Sequence, residues 1–228
     1  MRQLKISVVI PTMNEEQSVG QVLDSVHSTL KQAGIDHEML IVDTNSKDRT
    51  REIAREKGAR VIEEPRRGYG RAYKTGFENA TGEIIVTLDA DCTYPAEDIP
   101  KLVNILVQEK LDFITTNRFA GLESGAMTFE HHIGNKLLTM TMNALFRVKV
   151  RDSQSGMWVF KRDQLAKLNL KDDGMAMSEE IKIEAFKKLR SLEYPIYYRR
   201  RVGEVKLSSW KDGYKNIRFL FKKCFEYE

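Results

Sequence analysis

Asp89-Ala90-Asp91 follows directly on the apolar run Ile84–Leu88, and Asp43 follows directly on Met39–Val42. At a third position, Glu15 comes shortly after the run Ile6–Ile10 and Pro11. If these runs are parallel strands, their carboxyl ends share one edge, the edge where sheets of this type bind ligands. Carboxylates gathered on one edge repel each other unless a cation or a donor-rich ligand lies among them. In extended chain, residues i and i+2 project to the same side, so Asp89 and Asp91 form a pair. Such a pair suits a hard divalent ion that keeps open positions for phosphate oxygens. The ordinary alternative, an Asp-x-Asp turn or helix cap, is favoured for the tripeptide alone and carries equal weight once its place directly after a buried strand is counted.

Other chemistries lack their signals. Read as a calcium loop from Asp89, the chain has Tyr94 where the sharp-turn glycine belongs and Pro100 where the bidentate glutamate belongs. There is no G-x-S-x-G and no P-loop. Gly68-Tyr69-Gly70-Arg71-Ala72 matches part of a dinucleotide fingerprint without its third glycine. Beside Arg66, Arg67 and Lys74 it would still let backbone approach a phosphate.

The elements that must position these groups alternate in the first half of the chain, as β-α-β units do. Ile6–Ile10 reads as a strand stopped by Pro11, with Asn14 capping a helix on which Val19, Val22, Leu23, Val26 and Leu30 recur until Gly34. Strands are expected at Met39–Val42, Arg60–Ile62, Ile84–Leu88 and 112–116. Helices are expected at Asp48–Lys57, Ala72–Ala80 and 98–109. Beyond about residue 120 the alternation fades. A helix His131–Phe146 puts Ile133, Leu137, Leu138, Thr141 and Leu145 on one side. A strand Met157–Phe160, a helix Glu179–Leu189 and a strand Tyr194–Tyr198 follow.

The 228 residues carry 37 basic and 33 acidic side chains, a net charge of +4, too even a balance for an obligate nucleic-acid binder. At 41% apolar the chain can build a core. Two cysteines, Cys92 and Cys224, make neither a disulfide framework nor a zinc cluster. No apolar run approaches the roughly 18–20 residues of a spanning helix, and no leader profile opens the chain, so a soluble cytoplasmic protein is expected.

Taken in order, the blocks Val8–Glu15, Ile41–Thr50, Gly68–Lys74, Asp89-Ala90-Asp91, Thr116-Asn117-Arg118, Asp152–Met157 and Arg201–Leu207 resemble family 2 glycosyltransferases of the GT-A fold. The resemblance is to the dolichyl-phosphate sugar (mannose or glucose) synthase branch and extends from residue 6 to about 220. It implies an α/β fold, GT-A (Rossmann-like), with a central mostly parallel sheet flanked by helices. It also implies inverting transfer of a sugar from a GDP- or UDP-linked donor to a polyprenyl (dolichyl-type) phosphate with Mg²⁺ or Mn²⁺. Pro11, Met13, Glu15, Val42 and Asp43 would line the nucleotide pocket, with Gly70 and Lys74 near the phosphates. Asp89, Ala90 and Asp91 would make the ribose and metal–diphosphate contacts, Asp89 and Asp91 being the metal ligands. Arg118, Arg201 and Lys206 would handle phosphates of donor or acceptor. The chain departs from the family at Thr44, where relatives often have a second Asp, and at Thr93, where they often have Gln or Ser. The His131-His132 pair stands near the place of a missing acceptor-loop arginine.

Residues 1–208 are expected to form the glycosyltransferase domain, and 209–228 a basic, aromatic, amphipathic helix. On that helix Tyr214, Ile217, Phe221 and Cys224 share a face, with Lys215, Arg218 and Lys222 largely opposite. It would either rest on an anionic membrane surface, making the protein peripheral on the cytoplasmic face, or pack on the core. Two other functions stay open. A sugar-hydroxyl acceptor would need a general base, for which Asp152 is the candidate, unless Asp152 merely orders its own loop. A non-catalytic nucleotide or nucleic-acid binding module would have to tolerate the Asp89/Asp91 pair.

Overall fold

Ile6, Val8 and Ile10 alternate with Ser7 and Val9, yet all five are buried, so this strand is covered on both faces. The same holds for Leu40, Ile41 and Val42 and for Ile84, Ile85 and Val86. In the computed structural model, which describes residues 4–203 and 209–227, these runs lie at the centre of one sheet. The strands are β1 (Lys5–Thr12), β2 (Asp36–Asp43), β3 (Arg60–Glu63), β4 (Ile84–Thr87), β5 (Phe113–Leu122), β6 (Trp158–Lys161) and β7 (Ser191–Tyr198). Their order is β3-β2-β1-β4-β6-β5-β7. The sheet is mostly parallel as expected, with β6 running against both β4 and β5.

Helices cover both faces. Even residues of β1 pack with Val19, Val22, Leu23, Val26 and Leu30 of α1 (Val19–Gln32) and with Ile99, Leu102 and Leu106 of α4 (Ile99–Gln108). Val9, Leu40, Val42 and Ile85 face the other way, onto Ala72, Tyr73 and Phe77 of α3 (Tyr69–Asn79) and Met177, Ile181 and Ala185 of α6 (Met177–Lys188). The short α2 (Thr50–Glu56) fills the β2–β3 crossover. Gly34 and Gly58, with φ of 66° and 78°, provide the left-handed residue that ends α1 and α2. A third core joins α5 (Phe129–Phe146) to α7 (Ser209–Tyr227) through Leu138, Met142, Phe146 and Leu220.

Several elements differ from expectation for tertiary reasons. β1 runs through Pro11, because β4 pairs no further than Val9 and the missing N–H falls on the side β4 has left. Asn14 does not cap α1. With φ of 56° it bridges loops instead, donating its N–H to Ser46 Oγ (2.8 Å) and accepting Lys47 N–H (2.7 Å), while α1 begins at Val19. The polar residues Asp36-His37-Glu38 join β2 by pairing with Lys5-Ile6-Ser7.

Two helix faces are also reassigned. On α5 the inward residues are Leu138, Thr139, Met142 and Phe146, whereas Ile133 and Leu137 are exposed. On α7, Ile217 and Cys224 do pack inward beside Leu220, but Tyr214 and Phe221 point to solvent. Lys223 is buried between Glu180 (2.8 Å) and Glu184 (3.0 Å).

Candidate active site at the carboxyl edge of the sheet

The tips of β1, β2 and β4 each carry a non-glycine residue in the left-handed region: Asn14, Asn45 and Cys92, with φ of 56°, 62° and 65°. Such strain persists where surrounding bonds over-determine the backbone, and it concentrates at functional edges.

At the β2 tip, buried Asp43 accepts from Thr12 Oγ1 (3.0 Å), from the Ser46 N–H (3.0 Å) and from Ser46 Oγ, with Arg51 Nε 3.6 Å away. Asp43 therefore ties the loop after β2 to the end of β1. Thr44 hydroxyl donates to Thr12 O, reinforcing that tie. Pro11, Met13 and Glu15 are half-buried on the same edge. Val42 is sealed in the core under α3, where a Cβ on Gly76 would come within 3.1 Å of it, so its side chain does not line the edge.

After β4 the chain turns so that Ala90 and Asp91 are buried and Asp89 half-buried. Asp91 Oδ1 accepts from the Thr93 N–H (3.1 Å) and hydroxyl (2.6 Å). Thr93 thus holds Asp91 in place. Arg201 Nη2 lies 2.7 Å from Asp91 Oδ2. Backbone bonds bring it there, Val202 N–H to Asp91 O and Arg199 N–H to Thr93 O, both 2.9 Å. Asp89 Oδ1 is 3.4 Å from the Tyr73 hydroxyl and 3.5 Å from that of Tyr69. Burial, with the neighbouring Asp91 charge second, pushes the Asp89 carboxyl up to about 7.

Arg118, on β5, is buried and locked onto Asp152. Its Nε (2.7 Å) and backbone N–H (3.0 Å) donate to Oδ2, and Nη2 (2.9 Å) donates to Oδ1. Burial favours the neutral Asp152 carboxyl, but the Arg118 charge and its hydrogen bonds outweigh this and hold it below the usual carboxylate range. The guanidinium also lies 5.3 Å from the Tyr198 ring centroid. Asp152 is therefore the fixed partner of an arginine, and it also accepts the Gln154 N–H (3.0 Å), as the loop-ordering alternative expects. Arg118 in turn acts on the Asp89 charge, so the two arginines and two aspartates share one locale.

Gly156 walls the same space. Its N–H donates to the Tyr94 hydroxyl (2.6 Å), its carbonyl accepts from Thr87 Oγ1 (2.7 Å), and a Cβ there would stand 2.3 Å from the Tyr69 hydroxyl and 3.5 Å from Asp89 Oδ1. Only glycine fits between that tyrosine and the aspartate. Tyr69, Tyr73, Tyr94 and Gly156 were given no site role from the sequence, and Thr93 entered only as a departure from the family pattern. The i, i+4 spacing of Tyr69 and Tyr73 on α3 was the available signal.

Two expected phosphate contacts are otherwise engaged. The first N–H groups of α3, those of Gly70 and Arg71, donate to Gly174 O (3.1 Å) and Asp173 O (3.0 Å). Lys74 Nζ pairs with Asp173 Oδ1 (2.5 Å) and donates to Lys171 O (3.1 Å). The chain's own 171–174 segment thus occupies the helix end that a phosphate would need. Lys206 lies outside the described residues.

Among the described residues no group of three or more His, Cys, Asp or Glu is arranged to hold a metal. The two carboxylates still fit one. No aligned hydrogen bond from the described residues reaches the buried Asp91 Oδ2. Asp89 is raised chiefly by burial, with the Asp91 charge second, and a hard ion with open positions for phosphate oxygens would favour the ionised form of both carboxylates.

A helix-flanked, mostly parallel sheet with an Asp-Ala-Asp tip and two convergent arginines defines an α/β fold with a charged carboxyl edge. The chain belongs to glycosyl transferase family 2, whose model matches residues 7–168. It is similar to the low-salt glycan biosynthesis hexosyltransferase Agl6 of Haloferax volcanii, with 41% identity over 94% of this chain and 52% of that one. It thus spans about half the length of that relative. The dolichyl-phosphate hexose transferase of the same organism is 32% identical over 97% of this chain and 94% of its own. Among solved structures, glucosyl-3-phosphoglycerate synthase of Mycobacterium tuberculosis, in complex with Mn²⁺, UDP and glucosyl-3-phosphoglycerate, superimposes with a TM-score of 0.78. At 23% identity over 97% of this chain and 80% of that one, it shares the fold.

Proposed function

We propose that the chain moves a hexose from a GDP- or UDP-linked donor to a polyprenyl phosphate, with inversion. The observation that carries this reading is the convergence of Asp89, Asp91, Arg118 and Arg201 at one strand edge, in a family 2 glycosyltransferase related to a dolichyl-phosphate hexose transferase. In the reaction the anomeric C1–O bond to the diphosphate breaks, with its electron pair leaving on the nucleoside diphosphate. An oxygen of the acceptor phosphate forms the new bond to C1 from the opposite face. That phosphate is already ionised, so no proton has to be removed and no base is required. This agrees with Asp152 being bound to Arg118, and it disfavours a sugar-hydroxyl acceptor.

Asp89 and Asp91 would hold Mg²⁺ or Mn²⁺, which when bound supplies positive charge to the departing diphosphate. Arg201, already beside Asp91, would turn to the diphosphate as its charge grows. Arg118, across the Tyr198 ring on the strand leading to α5, would orient the acceptor phosphate.

A polyprenyl phosphate requires approach to a bilayer. Among the described residues no helix is long and apolar enough to cross one. Instead α5 exposes Phe129, Ile133, Leu137 and Met140, and the adjoining α7 exposes Tyr214, Phe221 and Phe225, with Phe129 at 77% and Phe225 at 75% exposure. These follow helical spacing, with Lys136, Arg218 and Lys222 among them, as interfacial helices do. The proposed protein is peripheral at an anionic membrane.

The test is a thermal-shift panel of nucleotide hexoses with and without Mn²⁺, followed by transfer assays on polyprenyl phosphate and on free sugars. A Mn²⁺-dependent shift with one donor, and product only on the phosphate, supports the proposal. Transfer only to sugar hydroxyls, or no shift with any donor, overturns it.

A further inference from the structure

Lys182 sits in the middle of α6, completely buried, in a stretch where every residue from Met177 to Ala185 is buried. A lysine removed from water is costly unless its ammonium is fully engaged. Its Nζ lies 2.6 Å from Ser155 O, 2.7 Å from Ser153 O, 3.1 Å from Ser178 O and 3.0 Å from Ser178 Oγ. The charge also stands 5.6 Å from the Trp158 ring centroid. Four oxygens exceed the three N–H bonds of the protonated form, so each N–H has an acceptor, while burial pulls the lysine down to about 7.

The two carbonyls it grips flank Gln154, at the centre of the loop 152–156. One end of this loop is Asp152, which fixes Arg118 through three hydrogen bonds. The other end is Gly156, which touches Tyr94 and closes on Tyr69 and Asp89. Each carbonyl has other donors as well: Ser178 Oγ lies 3.2 Å from both, and Trp158 Nε1 donates to Ser155 O at 2.9 Å. Loss of the lysine would therefore loosen the loop without stripping it of all support. The Lys182 charge also favours ionised Asp152, the state that orients Arg118.

We propose that Lys182 is a positioning residue for sugar transfer: its ammonium clamps the Ser153 and Ser155 carbonyls so that Asp152 presents Arg118 to the acceptor phosphate. This rests on the assignment of Arg118 to that phosphate. The fold does not explain the choice of residue, since a methionine fills similar space in a core at no cost in charge burial.

The test compares Lys182→Met, Ser178→Ala, Asp152→Asn, Arg118→Met and the Lys182→Met/Asp152→Asn pair in steady-state transfer to a short-chain polyprenyl phosphate. Folding is checked by circular dichroism and melting. Lys182→Met should raise the acceptor KM and lower kcat/KM about tenfold or more, with donor KM little changed, as expected for a misplaced orienting group. Ser178→Ala should shift the same way by less, which keeps the idea testable should Lys182→Met fail to fold. The double variant should lose little more than the worse single, because both changes act through Arg118. If Arg118→Met raises the acceptor KM while Ser178→Ala and Lys182→Met leave both KM values at the parent level, the clamp is only structural and the proposal falls. If Arg118→Met itself leaves the acceptor KM unchanged, the phosphate assignment fails and takes the Lys182 role with it.

Discussion

Replacing Asp152 by Asn removes the charge that faces a buried guanidinium while keeping the side chain's shape. The Asn oxygen can still accept one arm of Arg118, but its NH₂ group must stand where Oδ1 or Oδ2 now accepts, against Arg118 Nη2 and the Gln154 N–H or against Arg118 Nε and N–H. Removing one partner of a buried ion pair costs about 3–5 kcal/mol, because the other charge is left uncompensated. At roughly 2–4 °C per kcal/mol for a chain of this size, the melting temperature should fall by roughly 6–20 °C. Folding holds the Asp152 carboxyl below its usual range, so the pair stabilises the protein above the ordinary carboxylate pKa, and that stability is lost as pH falls through the lowered value. The parent should therefore lose stability in acid more steeply than the variant. Urea unfolding of Asp152→Asn, Arg118→Met and the double variant from pH 3 to 8 measures all of this. The double should be more stable than Asp152→Asn alone, since the Arg118 charge is then no longer left buried without its partner. A loss below about 1 kcal/mol for Asp152→Asn, or additive losses in the double, would refute the reasoning.

Other outcomes follow from the same geometry. Burial pushes the Glu179 carboxyl up to about 8. A raised folded-state value means that the stability it contributes is complete below the ordinary carboxylate pKa and lost as pH rises to about 8. Glu179→Gln should therefore melt higher than the parent at pH 8 and show little difference at pH 4, as calorimetry will show. Gly156→Ala must displace the Tyr69 hydroxyl, which would stand 2.3 Å from the new methyl. Turnover should drop roughly tenfold or more while the protein stays folded. Phe221→Ser with Phe225→Ser should weaken cosedimentation with anionic vesicles without lowering the melting temperature, because both rings are exposed.

The alternating sheet and its Asp-Ala-Asp tip were legible in the sequence because apolar runs without polar alternation mark strands covered on both faces, and such strands end at the ligand edge. Arg118, Arg201 and the family could be read from ordered blocks, not from any single one. Tertiary partners hid the rest. Gly70 and Lys74 read as phosphate contacts, but only the folded chain shows the 171–174 segment on the end of α3. α5 carries two apolar stripes, and periodicity cannot tell which one α7 covers, so exposed Ile133 and Leu137 were grouped on one side with buried Leu138. Lys182 resembled any surface lysine of a helix. Its four oxygen partners come from the 153–155 loop and from the preceding turn of its own helix, where Ser178 supplies two.

Calorimetric titration of the preferred nucleotide hexose tests the central claim most directly, with parent and Asp91→Asn each measured with Mn²⁺ and with EDTA. The parent should bind the donor tightly only with Mn²⁺, and Asp91→Asn should bind it equally weakly in both conditions. Equal donor affinity with and without metal in the parent, or an undiminished Mn²⁺ effect in Asp91→Asn, would contradict an aspartate pair that joins a cation to the diphosphate.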